Sequence, residues 1–168
     1  HTSSFDNVYG FFSANPFEHQ YCLNDFPDDF SKLSWGAPDE YLYNFAVKKT
    51  DSLIASGAKK TMNVVYGCSN HPPYSIPEEY FKKGFTEEEA AVYYADCQLK
   101  MLYSKIRKKE WGKNALFLFV ADHGRNYVSN ITASNHIPLI INHPELTPRV
   151  DETLGVQYDV IPTMLALT

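Results

Sequence analysis

The hydrophobic and polar positions of this 168-residue chain first indicate where its helices lie. One helix is predicted to begin at Pro38 and to stop at Gly57, since proline suits a first helical turn and glycine suits the position after the last turn. Its apolar stripe consists of Leu42, Phe45, Ala46 and Leu53. A second helix is predicted to begin at Thr86 and end at Gly112, because Thr86 and Glu89 have capping-box spacing. Its apolar residues recur every three or four positions, and they are Val92, Ala95, Leu99, Leu102 and Ile106.

Short apolar runs predict the strands. Three such runs are typical of buried strands, and they are Thr61–Tyr66, Leu116–Val120 and Ile137–Ile141. The segment Tyr158–Leu167 predicts a last helix with Pro162 in its first turn, and residues 1–38 are predicted to be mainly loop. Because helices alternate with continuous apolar strands, the fold class is predicted to be α/β with a mostly parallel sheet. Functional loops of such sheets gather at the carboxyl ends of the strands.

Acidic and histidine side chains follow or flank these predicted strands. Asp122, His123 and Gly124 come directly after the strand 116–120, where a carboxylate and an adjacent imidazole can both reach one divalent cation. His71 lies in the loop after the strand 61–66, and His136 precedes the strand 137–141. Taken singly, each has a plain structural interpretation, such as a surface turn or a histidine bonded to the backbone.

Composition narrows the classes of function. Lys and Arg number 15 against 20 Asp and Glu, and a net charge of -5 argues against nucleic acid as a partner. The longest apolar run, 115–121, is far shorter than the roughly 18 residues that a bilayer requires. The three cysteines, Cys22, Cys68 and Cys97, are too widely spaced to predict a disulfide framework or a CxxC zinc site. The length fits one domain.

The order of these segments resembles the C-terminal half of the sulfatase family, and within it the lipoteichoic acid synthase (phosphoglycerol transferase) branch of the alkaline phosphatase superfamily. The most specific elements are Asp122-His123-Gly124 at a strand end, His136-Ile137-Pro138, and Asp159-Val160-Ile161-Pro162-Thr163, the last within the resembling run Gln157–Leu165. Upstream elements that fit are His1 with Phe5-Asp6-Asn7, Trp35-Gly36 with Asp39-Glu40-Tyr41-Leu42, and Ser69-Asn70-His71-Pro72-Pro73-Tyr74. The resemblance implies a partial three-layer α/β/α sandwich, with residues 1–168 as the C-terminal portion of a sulfatase-like catalytic domain.

The resemblance also implies roles for individual residues. Asp122 and His123 match two ligands of the catalytic divalent metal, which is manganese, zinc, magnesium or calcium in the family. His71, His136 and His1 match histidines that bind the substrate near its phosphate or head group. The implied substrate is a phosphate or sulfate ester.

The family's nucleophile and its metal-binding glutamate belong to an N-terminal half with no counterpart in this sequence. Cys68 lacks the proline and arginine of the motif that is converted to formylglycine, so no catalytic nucleophile is expected in the chain. We therefore expect an inactive isolated chain with weak metal affinity, whose partner is the missing N-terminal half of its own domain. An uncovered sheet edge or apolar face would favour self-association. By resemblance, the parent protein acts on the extracytoplasmic side of the cell envelope and is membrane-anchored.

Two other functional classes are open on the sequence alone. One is a non-catalytic binding module whose cleft around His71 holds an anionic glycan or lipid head group. The other is an α/β domain whose histidines are scattered. An enzyme predicts that His71, Asp122, His123 and His136 share one pocket, whereas the alternatives do not. Sulfatase and phosphoglycerol transferase also stay open, because a cysteine or a threonine nucleophile would decide between them.

Overall fold

The computed structural model describes residues 7–15, 17–26, 35–82, 84–124 and 131–168. Its α-helices in these ranges are α1 (Val8–Ser13), α2 (Asp39–Ala55), α3 (Glu87–Arg107), α4 (Ile131–Asn135) and α5 (Val160–Ala166). Its strands are β1 (Phe117–Val120) and β2 (Leu139–Asn142), and its 3-10 helices are Leu23–Asp25, Glu78–Tyr80 and Gln157–Asp159. The chain divides into two compact units, residues 1–108 and 109–168. None of the helices described is long and apolar enough to cross a membrane.

Helix α2 in the first unit has the ends that the sequence predicts. It begins directly after Pro38, and Gly57 follows its end with a φ of 101°, a left-handed conformation that favours glycine. The predicted stripe is only half-buried at Leu42 and Phe45, which pack against a cluster of Leu23, Phe26 and Ala37. The buried residues of α2 are Asp39, Tyr43, Val47 and Thr50. Polar side chains therefore share the buried face, which apolar periodicity does not indicate.

Helix α3 packs against α2 and confirms the predicted capping box. The Thr86 hydroxyl accepts the Glu89 N–H at 3.2 Å, and the Thr86 N–H donates to the Glu89 carboxylate at 2.8 Å. The helix ends at Arg107, earlier than predicted. In the predicted apolar stripe, Val92 is 53% exposed and the other four residues are half-buried. The buried residues are Ala90, Ala91, Tyr94 and Gln98, and the two polar ones find partners at the Glu40 N–H and the Tyr80 hydroxyl.

Residues Thr61–Tyr66, predicted as a buried strand, form no strand in the structure. Met62 is 51% exposed, Val64 is 54% exposed and Tyr66 is 50% exposed. Within the described ranges, only β1 and β2 are strands, and they pair with each other. An apolar run with β-branched residues becomes a strand only when another strand pairs with it, because strand preference reflects the packing of neighbours.

The second unit contains β1 and β2, which pair in antiparallel orientation with Val120 opposite Leu139 and Phe117 opposite Asn142. This pair therefore differs from the parallel direction that is predicted for most of the sheet. Burial is also less than predicted, since Phe117 is buried but Val120 and Ile140 are 44% and 57% exposed. The antiparallel direction brings the end of β1 and the start of β2 to the same end of the pair.

The two ends of the chain add short helices. Pro162 is the third residue of α5, in its first turn as predicted. Helix α1 lies in the region predicted to be loop, so that prediction is wrong at Val8–Ser13. The prediction that residues 1–168 belong to one catalytic domain stays a prediction.

Candidate functional site

The loop that follows β1 presents Asp122 and His123 as a pair of possible metal ligands. The Asp122 Oδ1 accepts the His123 N–H at 2.9 Å, and the His123 Nδ1 lies 2.8 Å from the carbonyl oxygen of Gly124. Because a carbonyl only accepts, the Nδ1 is the donor nitrogen, and in the neutral imidazole the Nε2 then presents its lone pair. That Nε2 lies 3.7 Å from the Asp122 Oδ2, and both side chains are more than half exposed.

This separation fits a shared divalent cation. Two ligand atoms that each lie about 2.1 Å from one tetrahedral ion are roughly 3.4 Å apart, and the 3.7 Å between the Oδ2 and the Nε2 is slightly wider. A carboxylate and a neutral imidazole are ligands that divalent ions such as zinc and manganese accept. In the parts of the chain that the structure describes, no three His, Cys, Asp or Glu side chains form a group that could hold a metal. The pair thus supplies two ligands of a site that usually has three or four.

His136 lies between α4 and β2, and it is exposed. Since Val120 pairs with Leu139, the chain that leaves β1 toward Asp122 and His123 lies at the same end of the strand pair as the chain that enters β2. The structure therefore brings three predicted site residues to one end of β1 and β2. A parallel pair would have placed His136 at the opposite end.

A glutamine outside the predicted site contacts the same loop. The Gln157 Nε2 donates to the carbonyl oxygens of Ala121 at 3.0 Å and Asp122 at 2.7 Å. Gln157 begins the 3-10 helix Gln157–Asp159, which leads directly into α5. The start of α5 is thereby tied to the end of β1.

His71 lies in the first unit, in an exposed loop that Trp35 contacts. The Trp35 Nε1–H donates to the carbonyl oxygen of Pro72 at 2.7 Å, and the His71 Nδ1 is 2.7 Å from that same oxygen. The two rings pack edge to face with centroids 4.5 Å apart. The Nδ1 of His71 is therefore also the donor nitrogen, and the Nε2 is the atom that can contact a ligand.

The start of α2 anchors the loop that leads to His71. Asp39 is 2% exposed, and its Oδ1 accepts the N–H groups of Cys68 at 3.1 Å and Ser69 at 3.2 Å. Its own N–H donates to the Ser69 hydroxyl at 2.9 Å. Burial, with a contribution from the negative charge of Asp39, raises the pKa of the Cys68 thiol to about 11. Cys68 is therefore protonated at neutral pH, which makes it a poor nucleophile.

The predicted site residues are thus distributed over the two units. His71 belongs to the first unit, while Asp122, His123 and His136 belong to the second. His1 lies outside the described residues. A single pocket that unites the two sets stays a prediction.

The family model for sulfatases matches residues 1–168, which is the whole chain. The chain belongs to the sulfatase family. It is also similar to a crystal structure of a protein in the alkaline phosphatase superfamily from Vibrio parahaemolyticus, with a TM-score of 0.88 and 30% sequence identity. The match covers 98% of this chain and 42% of that one. The α/β fold class is confirmed, and this sulfatase-family chain spans less than half the length of the Vibrio protein.

The sequence of this sulfatase-family chain did not predict the role of three residues that hold the candidate site loops. Gln157 and Trp35 stand inside segments that carry the family resemblance, but nothing local distinguishes a side chain that binds a distant carbonyl. Asp39 matches an ordinary helix-start acid, and only its burial shows that it binds the Cys68 and Ser69 backbone. Position within a motif was the one signal that could have marked Gln157.

Proposed function

We propose that this chain is the C-terminal portion of the catalytic domain of a metal-dependent enzyme that cleaves or transfers sulfate or phosphate esters. Membership of the sulfatase family supports ester chemistry and a divalent metal. The observation that carries the proposal is the ligand pair after β1, with the Asp122 Oδ2 and His123 Nε2 3.7 Å apart and the His123 tautomer fixed by Gly124. The isolated chain, in this proposal, is inactive.

Each residue of the site has a proposed task. Asp122 and His123 would hold the cation, which when bound neutralises charge that develops on the transferred group. His136, at the same end of the strand pair, and His71, as an imidazolium whose Nε2 also carries a proton, would donate to the oxygens of the ester anion. The nucleophile and the other metal ligands would come from sequence outside residues 1–168. The Vibrio protein, of which 42% is covered, has room for such a part.

The finer assignment is to the lipoteichoic acid synthase-like branch, a phosphoglycerol transferase of the cell envelope. Its support is the resemblance carried by the segments at 122–124, 136–138 and 159–163. The parent protein would then act on the extracytoplasmic side and be membrane-anchored. A parent protein that turns over a glycerophosphate diester but not an aryl sulfate would support this branch, and the reverse preference would overturn it.

Direct measurement of metal binding tests the ligand pair. Free Mn²⁺ is followed by electron paramagnetic resonance as it is titrated with the chain. We expect weak binding that Asp122→Asn and His123→Asn each abolish. Asp151→Asn and His143→Asn remove the same groups from loop positions of the same unit, exposed at 151 and half-buried at 143, and should bind Mn²⁺ as the wild type does. Equal affinity in all five proteins would contradict the proposed ligands.

A turnover assay tests the incomplete active site. The chain with added Mn²⁺ is expected to leave both a phosphodiester and an aryl sulfate uncleaved. Robust turnover that Asp122→Ala abolishes would show that the chain is a complete enzyme. Binding of the anionic ester that does not depend on metal or on Asp122 would instead support the non-catalytic binding module.

A further inference from the structure

We infer that Gln157 is a positioning residue for the metal-binding loop, acting through the backbone of Ala121 and Asp122. The inference rests on the proposed function, since it takes Asp122 and His123 as ligands. One side-chain amide has two N–H bonds, and here one nitrogen donates to two consecutive carbonyls at 3.0 and 2.7 Å. Both carbonyls lie beyond Val120, the last residue of β1 to pair with β2.

The position of these two carbonyls explains why the contact matters. Backbone carbonyls beyond the end of a ladder need a donor other than the neighbouring strand. Gln157 supplies it from 36 and 35 residues away in sequence. Two consecutive carbonyls held by one nitrogen fix the orientation of two consecutive peptide planes. The second of those planes joins Asp122 to His123.

The peptide orientation determines where the ligand atoms point. The side chains of the pair are fixed locally, by the bond from the His123 N–H to Asp122 Oδ1 and by the contact of His123 Nδ1 with Gly124. These local bonds direct the Oδ2 and Nε2 relative to the loop, while Gln157 fixes the loop relative to β1. Without Gln157, the two peptide planes can rotate, and the 3.7 Å ligand separation is then held by the exposed local bonds alone and is populated for less of the time.

Gln157 is itself held firmly enough to act as an anchor. The Val156 N–H donates to the Asp159 carboxylate at 2.8 Å, and the Asp159 N–H donates to the Val156 carbonyl at 2.8 Å. These two bonds close the 3-10 turn in which Gln157 lies. The neighbouring Tyr158 is 92% exposed, so it offers a substitution site beside Gln157.

Three substitutions separate positioning from simple charge. Gln157→Glu keeps the shape but sets a carboxylate against two carbonyls, Gln157→Met donates nothing, and Gln157→Lys restores a donor. Charge alone predicts that the glutamate strengthens Mn²⁺ binding and the lysine weakens it. If Gln157 instead positions the loop by donating to its carbonyls, Gln157→Glu should bind Mn²⁺ more weakly than Gln157→Lys. We expect Gln157→Glu and Gln157→Met to bind Mn²⁺ roughly tenfold more weakly, with Gln157→Lys and the control Tyr158→Phe close to wild type.

The outcomes distinguish this inference from the proposed function. If wild type binds Mn²⁺ no better than Asp122→Asn, the metal site itself fails. If Asp122→Asn loses binding but Gln157→Glu and Gln157→Met match wild type, only the role of Gln157 fails. A second measurement, hydrogen exchange of the Gln157 side-chain amide, uses only the metal-free wild type and so does not depend on whether a variant folds. We expect slowed exchange there, and exchange at the rate of a free amide would overturn the inference.

Discussion

At the start of α2, the Asp39 carboxylate joins two segments that are about 30 residues apart in sequence. Asp39→Ala would leave the N–H groups of Cys68 and Ser69 buried without their acceptor. We expect the free energy of unfolding to fall by about 2–4 kcal/mol, because each buried and unsatisfied group costs roughly 1–3 kcal/mol. Urea unfolding measures the loss. Glu40→Ala removes an exposed carboxylate at the next position and should lower the free energy of unfolding less than Asp39→Ala does. Equal losses would contradict this role of the Asp39 carboxylate.

The Cys68 thiol, whose backbone N–H the Asp39 carboxylate binds, makes the stability of the folded chain depend on pH. An unfolded thiol ionises near its ordinary pKa of 9.0, whereas burial holds the pKa in the folded chain at about 11. Between these values the unfolded state binds fewer protons than the folded state, so stability falls as the pH rises through that window. From pH 8 to pH 10.5, we expect wild type to lose about 1–2 kcal/mol more than Cys68→Ala. Parallel losses in the two proteins, measured by urea unfolding, would contradict this origin.

For single residues, local sequence patterns identify side chains that are neighbours in the chain, but not contacts between segments that are distant in sequence. Asp122 and His123 could be predicted as a pair because they are adjacent and follow an apolar run. Gln157 and Asp39 reach partners about 30 or more residues away, and no local pattern encodes such a contact. Their roles become visible only when the folded backbone brings the acceptor and the donor together.

Helix α3 depends on a cap that is local in sequence. Thr86→Ala removes the hydroxyl that accepts the Glu89 N–H, and we expect the free energy of unfolding to fall by about 1 kcal/mol at pH 7. Thr86→Ser retains the acceptor and serves as the control. Urea unfolding compares the three proteins, and equal losses for alanine and serine would rule out the hydroxyl as the cause.

Acid should weaken the same cap. Hydrogen bonds from the Thr86 N–H and hydroxyl hold the pKa of Glu89 below its ordinary value. A lowered pKa contributes stability above the unfolded value, and that stability is lost as the pH falls through the folded value. The acid slope of stability should therefore be shallower in Thr86→Ala than in wild type. Superimposable slopes between pH 7 and pH 3 would contradict the contribution of Glu89.

Both ends of α2 and the start of α3 were more predictable than the strands for a physical reason. Prolines, glycines and capping pairs act within a few residues, so they mark a helix end wherever the helix finally packs. The relative direction of two strands is set by which strands pair and by the segment of chain that connects them. The apolar runs of β1 and β2 are equally compatible with both directions, and Thr61–Tyr66 has the same kind of pattern without forming a strand.

The whole chain leaves large apolar side chains exposed, and this supports the untested prediction that it self-associates. In the second unit, Val150, Leu154 and Tyr158 are 89%, 90% and 92% exposed. The Vibrio protein, which has the same fold over this region, extends over more than twice the matched length. Uncovered apolar surface of this kind favours contact between copies. We expect sedimentation velocity of the chain alone to show concentration-dependent association at micromolar levels.

Two variants that shift the net charge in the same direction identify the cause of that association. Leu154→Lys removes exposed apolar surface, yet it also moves the net charge of -5 toward zero, which by itself promotes association. A decrease in association must therefore come from the lost leucine. Glu152→Lys makes a larger charge change in the same direction at an exposed position, and it should associate at least as strongly as wild type. If Leu154→Lys associates as wild type does, or if wild type stays monomeric at 100-fold higher concentration, this apolar surface does not drive contact between copies.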